Sequence, residues 1–381
     1  MKLVIPTRNR AASLASVLQY LETFYPDTRV LVADGSHDSM KGAVRETVAR
    51  FAKLSPELLS YPYEVTYFDR LDDVLAGLDD EFVALNADDD YPMIEVYRRG
   101  EEFLKDNPDY ALAMGTLLVL DLDRSGQIHA NIRQVRPINH DTVDGRVRQF
   151  TAWTFPLTYA VCRREVLIAR QQRARHCVLG ELDDLVAGLS DCIEGKVHAI
   201  GDISLVLTRH FAQRYLRIES KLEFFDEGPG IAMLARQLAG ELTIKGGMPD
   251  DAAGRLATEI YARRVGSHLT GIPFHHQAQF INSNIHRHKF LRHQCEKFER
   301  MLEAGTPEQQ RYGERLRYIG AALQDQASAA IGARVPLPPI GQKPAATPAS
   351  PPSVAADDDS VLHLIGKKIP LDPATMLRLD A

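Results

Sequence analysis

The stretch Asn86-Ala87-Asp88-Asp89-Asp90 sets three carboxylates side by side, directly after the apolar run Phe82–Leu85. Adjacent like charges repel one another, so folding alone gives little reason for such a run. A hard divalent cation removes the repulsion, because it takes carboxylate oxygens as ligands. On an extended backbone alternate side chains share a face. That predicts Asn86, Asp88 and Asp90 on one side and Asp89 on the other. The competing reading is a solvated acidic turn ahead of a helix that starts near Pro92.

Two more polar clusters follow apolar runs in the same way. Pro6-Thr7-Arg8-Asn9-Arg10 comes after Lys2–Ile5, and Asp34-Gly35-Ser36 comes after Arg29–Ala33. The segments that must position them alternate in type. Ala11–Phe24 carries Leu14, Val17, Leu18, Leu21 and Phe24 at helical spacing. Gly42–Leu54 is helical, Glu64–Phe68 is a third strand candidate, Leu71–Leu78 is a short helix, and Ile94–Leu104 is helical again. This β-α-β-α order predicts an α/β fold, a mostly parallel sheet covered on both faces by helices. Ligands of such sheets bind beyond the carboxyl ends of the strands, and all three polar clusters fall there.

Beyond residue 110, Leu112–Asp121 and Gln127–Val135 are expected to form a hairpin around Asp123-Arg124-Ser125-Gly126. Glu181–Leu189 reads as a helix. Lys196–Ile200 and Ile203–Thr208 read as two strands joined at Gly201-Asp202. Residues 219–330 read as a helical C-terminal region, 331–360 as a Pro/Ala-rich flexible linker, and 361–381 as a tail with one apolar patch, Val361–Ile365.

The 381 residues carry a net charge of −6 and are 45% apolar, which suits a globular body and argues against a general nucleic-acid binder. No apolar run is long enough for a transmembrane helix, and the N-terminus lacks a secretory signal. The four cysteines, Cys162, Cys177, Cys192 and Cys295, are far apart and suggest neither a metal site nor a disulfide framework. A cytoplasmic location is the expectation. The run His286-Arg287-His288-Lys289, with Arg292 and His293, is a solvated helix face or a contact to an anionic acceptor.

Val4-Ile5-Pro6-Thr7-Arg8-Asn9-Arg10, Val32-Ala33-Asp34-Gly35-Ser36 and Ala87-Asp88-Asp89-Asp90, in that order, resemble the GT-A-fold glycosyltransferases of family-2 type. More narrowly, they resemble a bacterial branch whose metal motif reads Asp-Asp-Asp. Gly180-Glu181-Leu182-Asp183-Asp184-Leu185, Gly195-Lys196-Val197 and Leu207-Thr208-Arg209 add to the likeness, which covers roughly residues 1 to 215 and so the expected domain 1–218.

The resemblance implies transfer of a sugar from a nucleotide-diphosphate donor to a glycan, lipid-carrier or protein hydroxyl, with inversion expected. It implies Mn2+ or Mg2+ on the diphosphate, with Asp88 and Asp90 as ligands and His210 as a third. Pro6, Thr7 and Asp34 would meet the nucleoside, Arg8 or Arg10 the phosphate. Arg70 is a further candidate there, or it pairs with Asp72 or Asp73. The proton acceptor would be Glu181, with Asp184 second. These two share a helix face at three-residue spacing, whereas Asp183 points elsewhere. Leu182 departs from the family's commoner Glu-Asp pair. Trp153 and Tyr159 can stack on an acceptor sugar or fill the core. Two alternatives stand beside this reading. One is a non-catalytic nucleotide-sugar or glycan-binding protein on the same fold. The other is a sugar-phosphate nucleotidyltransferase, although the first turn lacks the glycines such an enzyme uses.

Overall fold

The computed structural model describes residues 1–122, 128–152, 156–175, 182–210, 228–270, 307–332 and 369–371. Trp153, Glu181, the basic run 286–293, residues 333–360 of the linker and the apolar patch 361–365 lie outside them.

The N-terminal part alternates as expected: β1 (Lys2–Thr7), α1 (Ala11–Phe24), β2 (Val30–Asp34), α2 (Asp38–Ala49), β3 (Glu57–Ser60), α3 (Tyr67–Gly77) and β4 (Phe82–Leu85). These four strands lie parallel in the order β3-β2-β1-β4. The buried Val, Ile and Leu side chains of β1, β2 and β4, on both faces, are what a strand covered by helices on each side requires. The third strand is Glu57–Ser60 and not Glu64–Phe68. Thr66 caps α3, its hydroxyl oxygen accepting from the Asp69 N–H at 3.1 Å, so Tyr67 and Phe68 open a helix.

After β4 come β5 (Tyr91–Pro92), α4 (Ile94–Asp106), β6 (Tyr110–Leu122), β7 (Ile128–Arg133), α5 (Val143–Thr151), a 3-10 turn (Leu157–Tyr159), β8 (Val161–Arg163), α6 (Arg164–Ala174), α7 (Asp183–Glu194) and β9 (Lys196–His210). This half of the sheet is mixed. The expected hairpin is present as β6 and β7, and β8 runs antiparallel between β4 and β6. The expected strand pair at 196–208 is one continuous strand, β9, parallel to β6. The irregularity foreseen at Gly201-Asp202 is absorbed as register shifts opposite Met114–Leu117. Gly115 permits this, since a Cβ there would stand 2.4 Å from the Asp202 carbonyl oxygen.

Helical C-terminal segments pack on both sides of the sheet. Leu234, Leu238 and Leu242 of α8 (Gly228–Ile244), with Ile260 and Tyr261 of α9 (Asp250–Thr270), join the core that contains α7. Tyr312, Leu316, Ile319 and Leu323 of α10 (Pro307–Gly332) join the opposite core with α1. There Tyr20 meets Tyr91 at 5.2 Å and Tyr318 at 5.9 Å between ring centroids. A last strand, β10 (Ile369–Leu371), pairs with β7. Among the described residues no helix is long and apolar enough to cross a membrane.

The placement of α7 matters for the site, because Asp184 stands in its first turn. An ion pair in the core fixes it to α6. Arg170 donates from Nε to Asp191 Oδ1 at 2.9 Å and from Nη2 to Asp191 Oδ2 at 2.8 Å, and both side chains are almost fully buried. Removing one member strands the other charge in a low-dielectric interior, whereas replacing both by apolar groups does not. We therefore expect Arg170→Met alone to cost about 3–5 kcal/mol of stability. The pair Arg170→Met with Asp191→Leu should recover most of that loss. Denaturant melts of the three proteins check this, and equal destabilisation of the single and double variants would contradict it.

Candidate active site

The strand ends bring the polar clusters together by backbone hydrogen bonding. The Gly35 N–H donates to the Thr7 carbonyl at 3.0 Å, and the Asn86 N–H donates to the Val4 carbonyl at 2.9 Å. Beyond β1 the chain turns at Asn9, which has a φ of 58° in the left-handed region where asparagine is tolerated. Asn9 then joins the first loop to the second. Its N–H donates to Ser36 Oγ at 2.8 Å, and its Oδ1 accepts from the His37 N–H at 2.8 Å.

A cavity of about 380 Å3 opens at these strand ends, lined by Pro6, Thr7, Arg8, Arg10, Arg70 and Asp88 among the expected residues, and also by Tyr67, Asn86, Thr158 and Tyr159. Asp34 is not part of its lining. Asp34 is buried beside it, and its Oδ1 accepts from the Ser36 N–H at 2.9 Å, the geometry of a turn aspartate. Arg70 pairs with neither Asp72 nor Asp73. Its Nη1 donates to the carbonyls of Thr7 at 3.0 Å and Ala33 at 3.1 Å, which ties the ends of β1 and β2 together. Gly35 leaves room for it, because a Cβ there would stand 2.2 Å from Nη1. Arg8 stacks on Tyr63, with Cζ 4.0 Å from the ring centroid, and its Nη2 donates to the Tyr63 carbonyl at 3.1 Å.

The acidic run is a turn rather than an extended strand, the Asp90 N–H reaching back to the Ala87 carbonyl at 3.4 Å. The alternation predicted above therefore does not hold. Asn86 is the clamp of this turn: its amide donates to the carbonyls of Ala87 at 2.7 Å and Asp90 at 2.8 Å. Asp88 faces the cavity. Its Oδ2 accepts from the Thr7 hydroxyl at 2.7 Å and its Oδ1 pairs with Arg10 Nη1 at 2.8 Å. Asp89, expected to point away, pairs with Nη2 of the same Arg10. Asp90, expected on the metal side, is turned inward. Its Oδ1 accepts from the Thr208 N–H at 3.0 Å, and it takes a further hydrogen bond from the Tyr159 hydroxyl. Thr208 closes the arrangement by donating from its own hydroxyl to the Asp89 carbonyl at 2.6 Å.

Burial governs the charges here. It pushes the Asp88 carboxyl up to about 6 against the opposing pull of Arg10, with the Asp89 charge adding to the rise. Burial, then Asp89, holds Asp90 well above the ordinary carboxylate range. For Arg10 burial acts against the charge, but Asp89 and Asp88 outweigh it and raise its pKa.

A divalent ion fits this donor set in one way. Among the described residues no three His, Cys, Asp or Glu side chains converge. The two carboxylates bridged by Arg10 do converge, and an ion held by one or two carboxylates takes its other ligands from phosphate and water. His210 closes β9, two residues beyond Thr208. Asp184 stands exposed in the first turn of α7, and its charge reaches the Tyr159 hydroxyl.

Asp89 and Thr208, named in the sequence without a site role, and Tyr67, not named, all contribute to the arrangement. Tyr67 had a readable signal. The cap Thr66 with Asp69 three residues on starts α3 where Tyr67 and Arg70 share a face.

No protein-family model and no curated protein match the chain. Solved structures with a similar course of the chain include TarS 1-349 from S. aureus in complex with UDP-GlcNAc, at 14% identity and a TM-score of 0.45, over 87% of this chain and 91% of that one. The mannosyltransferase PcManGT from Pyrobaculum calidifontis, in complex with GDP-Man and Mn2+, matches at 14% identity and a TM-score of 0.37, over 87% and 86%. Glucosyl-3-phosphoglycerate synthase from Mycobacterium tuberculosis, with Mn2+, UDP and glucosyl-3-phosphoglycerate, matches at 15% identity and 0.34, over 65% and 80%.

Proposed function

We propose that the chain is a glycosyltransferase that moves a sugar from a nucleoside-diphosphate donor to a hydroxyl of a glycan, lipid-linked or protein acceptor, with inversion. One observation carries the reading. The turn after β1, the α3 arginine and the carboxylate after β4 meet around a single cavity at the carboxyl edge of parallel strands. A cavity lined by the Arg8, Arg10 and Arg70 guanidinium groups and the Asp88 carboxylate, with Asp89 joined to Asp88 through Arg10, suits a diphosphate bound through a cation.

Asp88, with Asp89 beside it, would hold Mn2+ or Mg2+, and such an ion stabilises charge on the leaving diphosphate as a Lewis acid. Thr7 orients Asp88 by hydrogen bonding to the oxygen that Arg10 does not hold. Pro6 and Thr7 would form the nucleoside end, with Asp34 reaching the base only if the turn at Ser36 releases it, and Arg70 keeps that end in shape by spanning the two strand termini. Arg8 and Arg10 supply positive charge toward the phosphates. Asp90 keeps the turn seated on β9, and His210, at the end of that strand, would complete the ion's protein ligands. Glu181, with Asp184 second, takes the proton of the acceptor hydroxyl, which requires hydrogen-bond reach to it.

A panel of nucleoside-diphosphate sugars, with and without Mn2+, read by calorimetry and by nucleotide release, tests the reading. Donor binding should depend on the metal, and Asp88→Ala should abolish that dependence. Wild-type affinity in the variant would count directly against the site. Glu181→Ala should bind donor normally and lose about 10²–10⁴-fold in transfer rate, the usual worth of a general base. Unchanged turnover would move the base to another carboxylate. Metal-dependent binding with no transfer to any acceptor would favour a binding protein on this fold.

A further inference from the structure

A role toward the phosphates does not account for where the Arg10 guanidinium lies before a donor binds. Its guanidinium spans two neighbouring carboxylates, pairing with Asp88 at 2.8 Å through Nη1 and with Asp89 through Nη2. Those are the two carboxylates that would hold the divalent ion. Asn86, 1% exposed, lines the same cavity, and its Oδ1 has no hydrogen-bond partner among the described residues. The space beside the pair is thus built to receive a donor or a cation, and Arg10 stands over part of it.

We infer that Arg10 is an internal cation that competes with the divalent ion for Asp88 and Asp89, so that metal entry and Arg10 release are one event. Two features fit Arg10 for this. Its side chain is 41% exposed, whereas those of Asp88 and Asp89 are 4% and 12% exposed, so the guanidinium is the member with room to swing. It also sits at the N-cap of α1, and its side chain makes no capping hydrogen bond that would be lost when it moves. A divalent ion that enters alone has to displace the guanidinium against two ion pairs. An ion that enters with a diphosphate offers Arg10 a new anionic partner a short distance away. The same guanidinium therefore opposes metal alone and favours metal together with a nucleoside diphosphate, which orders the two binding steps. A gate closed nine-tenths of the time lowers apparent affinity about tenfold.

This inference rests on the metal reading above, and the test separates the two. Mn2+ alone is titrated into the full chain and free Mn2+ is followed by electron paramagnetic resonance, for wild type, Arg10→Gln, Arg10→Lys and Asp88→Asn. The titrations are repeated with saturating UDP and, separately, with GDP. Arg10→Gln should bind Mn2+ alone about tenfold tighter than wild type, and UDP or GDP should strengthen its Mn2+ binding less than in wild type. Arg10→Lys keeps the charge but not the two-pronged bridge, and should fall between them. It also supplies the answer if the glutamine variant fails to fold. Asp88→Asn should lose the site. Equal Mn2+ affinity in wild type and both Arg10 variants, with loss in Asp88→Asn, overturns the role of Arg10 and leaves the metal site standing. Unchanged Mn2+ binding in Asp88→Asn, or none in any protein, overturns the metal reading and this inference with it.

Discussion

Three consecutive carboxylates placed in a nearly buried turn have to be reconciled with one another, and the elements around the site meet in doing so. Each charge is answered from a different part of the chain. Thr7 and Arg10 of the first loop hold Asp88, and the same Arg10 holds Asp89. Asp90 is held by the Thr208 amide from β9 and by the hydroxyl of Tyr159 beside β8. Segments more than a hundred residues apart in the chain are thereby fixed to one turn. The repulsion that makes the run costly in isolation is what makes it an organising centre once partners surround it.

Arginine does much of the remaining positioning, in places where a helix or strand ends with exposed carbonyls. Arg146 donates to the carbonyls of Cys192 at 2.7 Å and Ile193 at 3.3 Å, closing the C-terminus of α7. Arg163 does the same for α4 through Asn107 at 3.2 Å and Leu104. A cation at a helix C-terminus meets both the orphan carbonyls and the dipole. Arg70 serves two strands instead of a helix. A single residue type thus performs a backbone task in three settings, while Arg8 and Arg10, chemically identical, are left to face the cavity. What separates Arg70, Arg146 and Arg163 from the other two is that each reaches two or more backbone carbonyls, whereas Arg8 reaches one and Arg10 reaches two carboxylates. That is a property of the fold and not of the neighbouring residues in the chain.

The α/β order of the first hundred residues was legible because helix and strand periodicities differ and the apolar runs are clean. β1, β2, β4, α1 and α4 fall where the pattern puts them, and so does the β6–β7 hairpin. The third strand was misplaced for an identifiable reason. Glu57-Leu58-Leu59-Ser60 is short, lies at the sheet edge and is mostly exposed, so it carries little apolar signal. The aromatic Tyr67-Phe68 nearby belongs to a capped helix. In β9 the Gly201-Asp202 break was read as the end of a strand. Gly115 on the facing strand lets the bulge through, and no local pattern reports on a partner ninety residues away.

For the site, the residue order alone determined that acidic, basic and turn residues would gather at three strand ends. Strand polarity places the ends of parallel strands on one edge whatever the details of packing. Tertiary structure decided how the charges pair. Whether Asp89 or Asp90 pairs with Arg10 depends on a turn closed by the Asn86 amide and on two hydrogen bonds from Thr208. Whether Arg70 meets a ligand or a carbonyl depends on the space left by Gly35. Side-chain direction at a strand end is set by long-range hydrogen bonds once the pleat stops, and periodicity carries no information beyond that point.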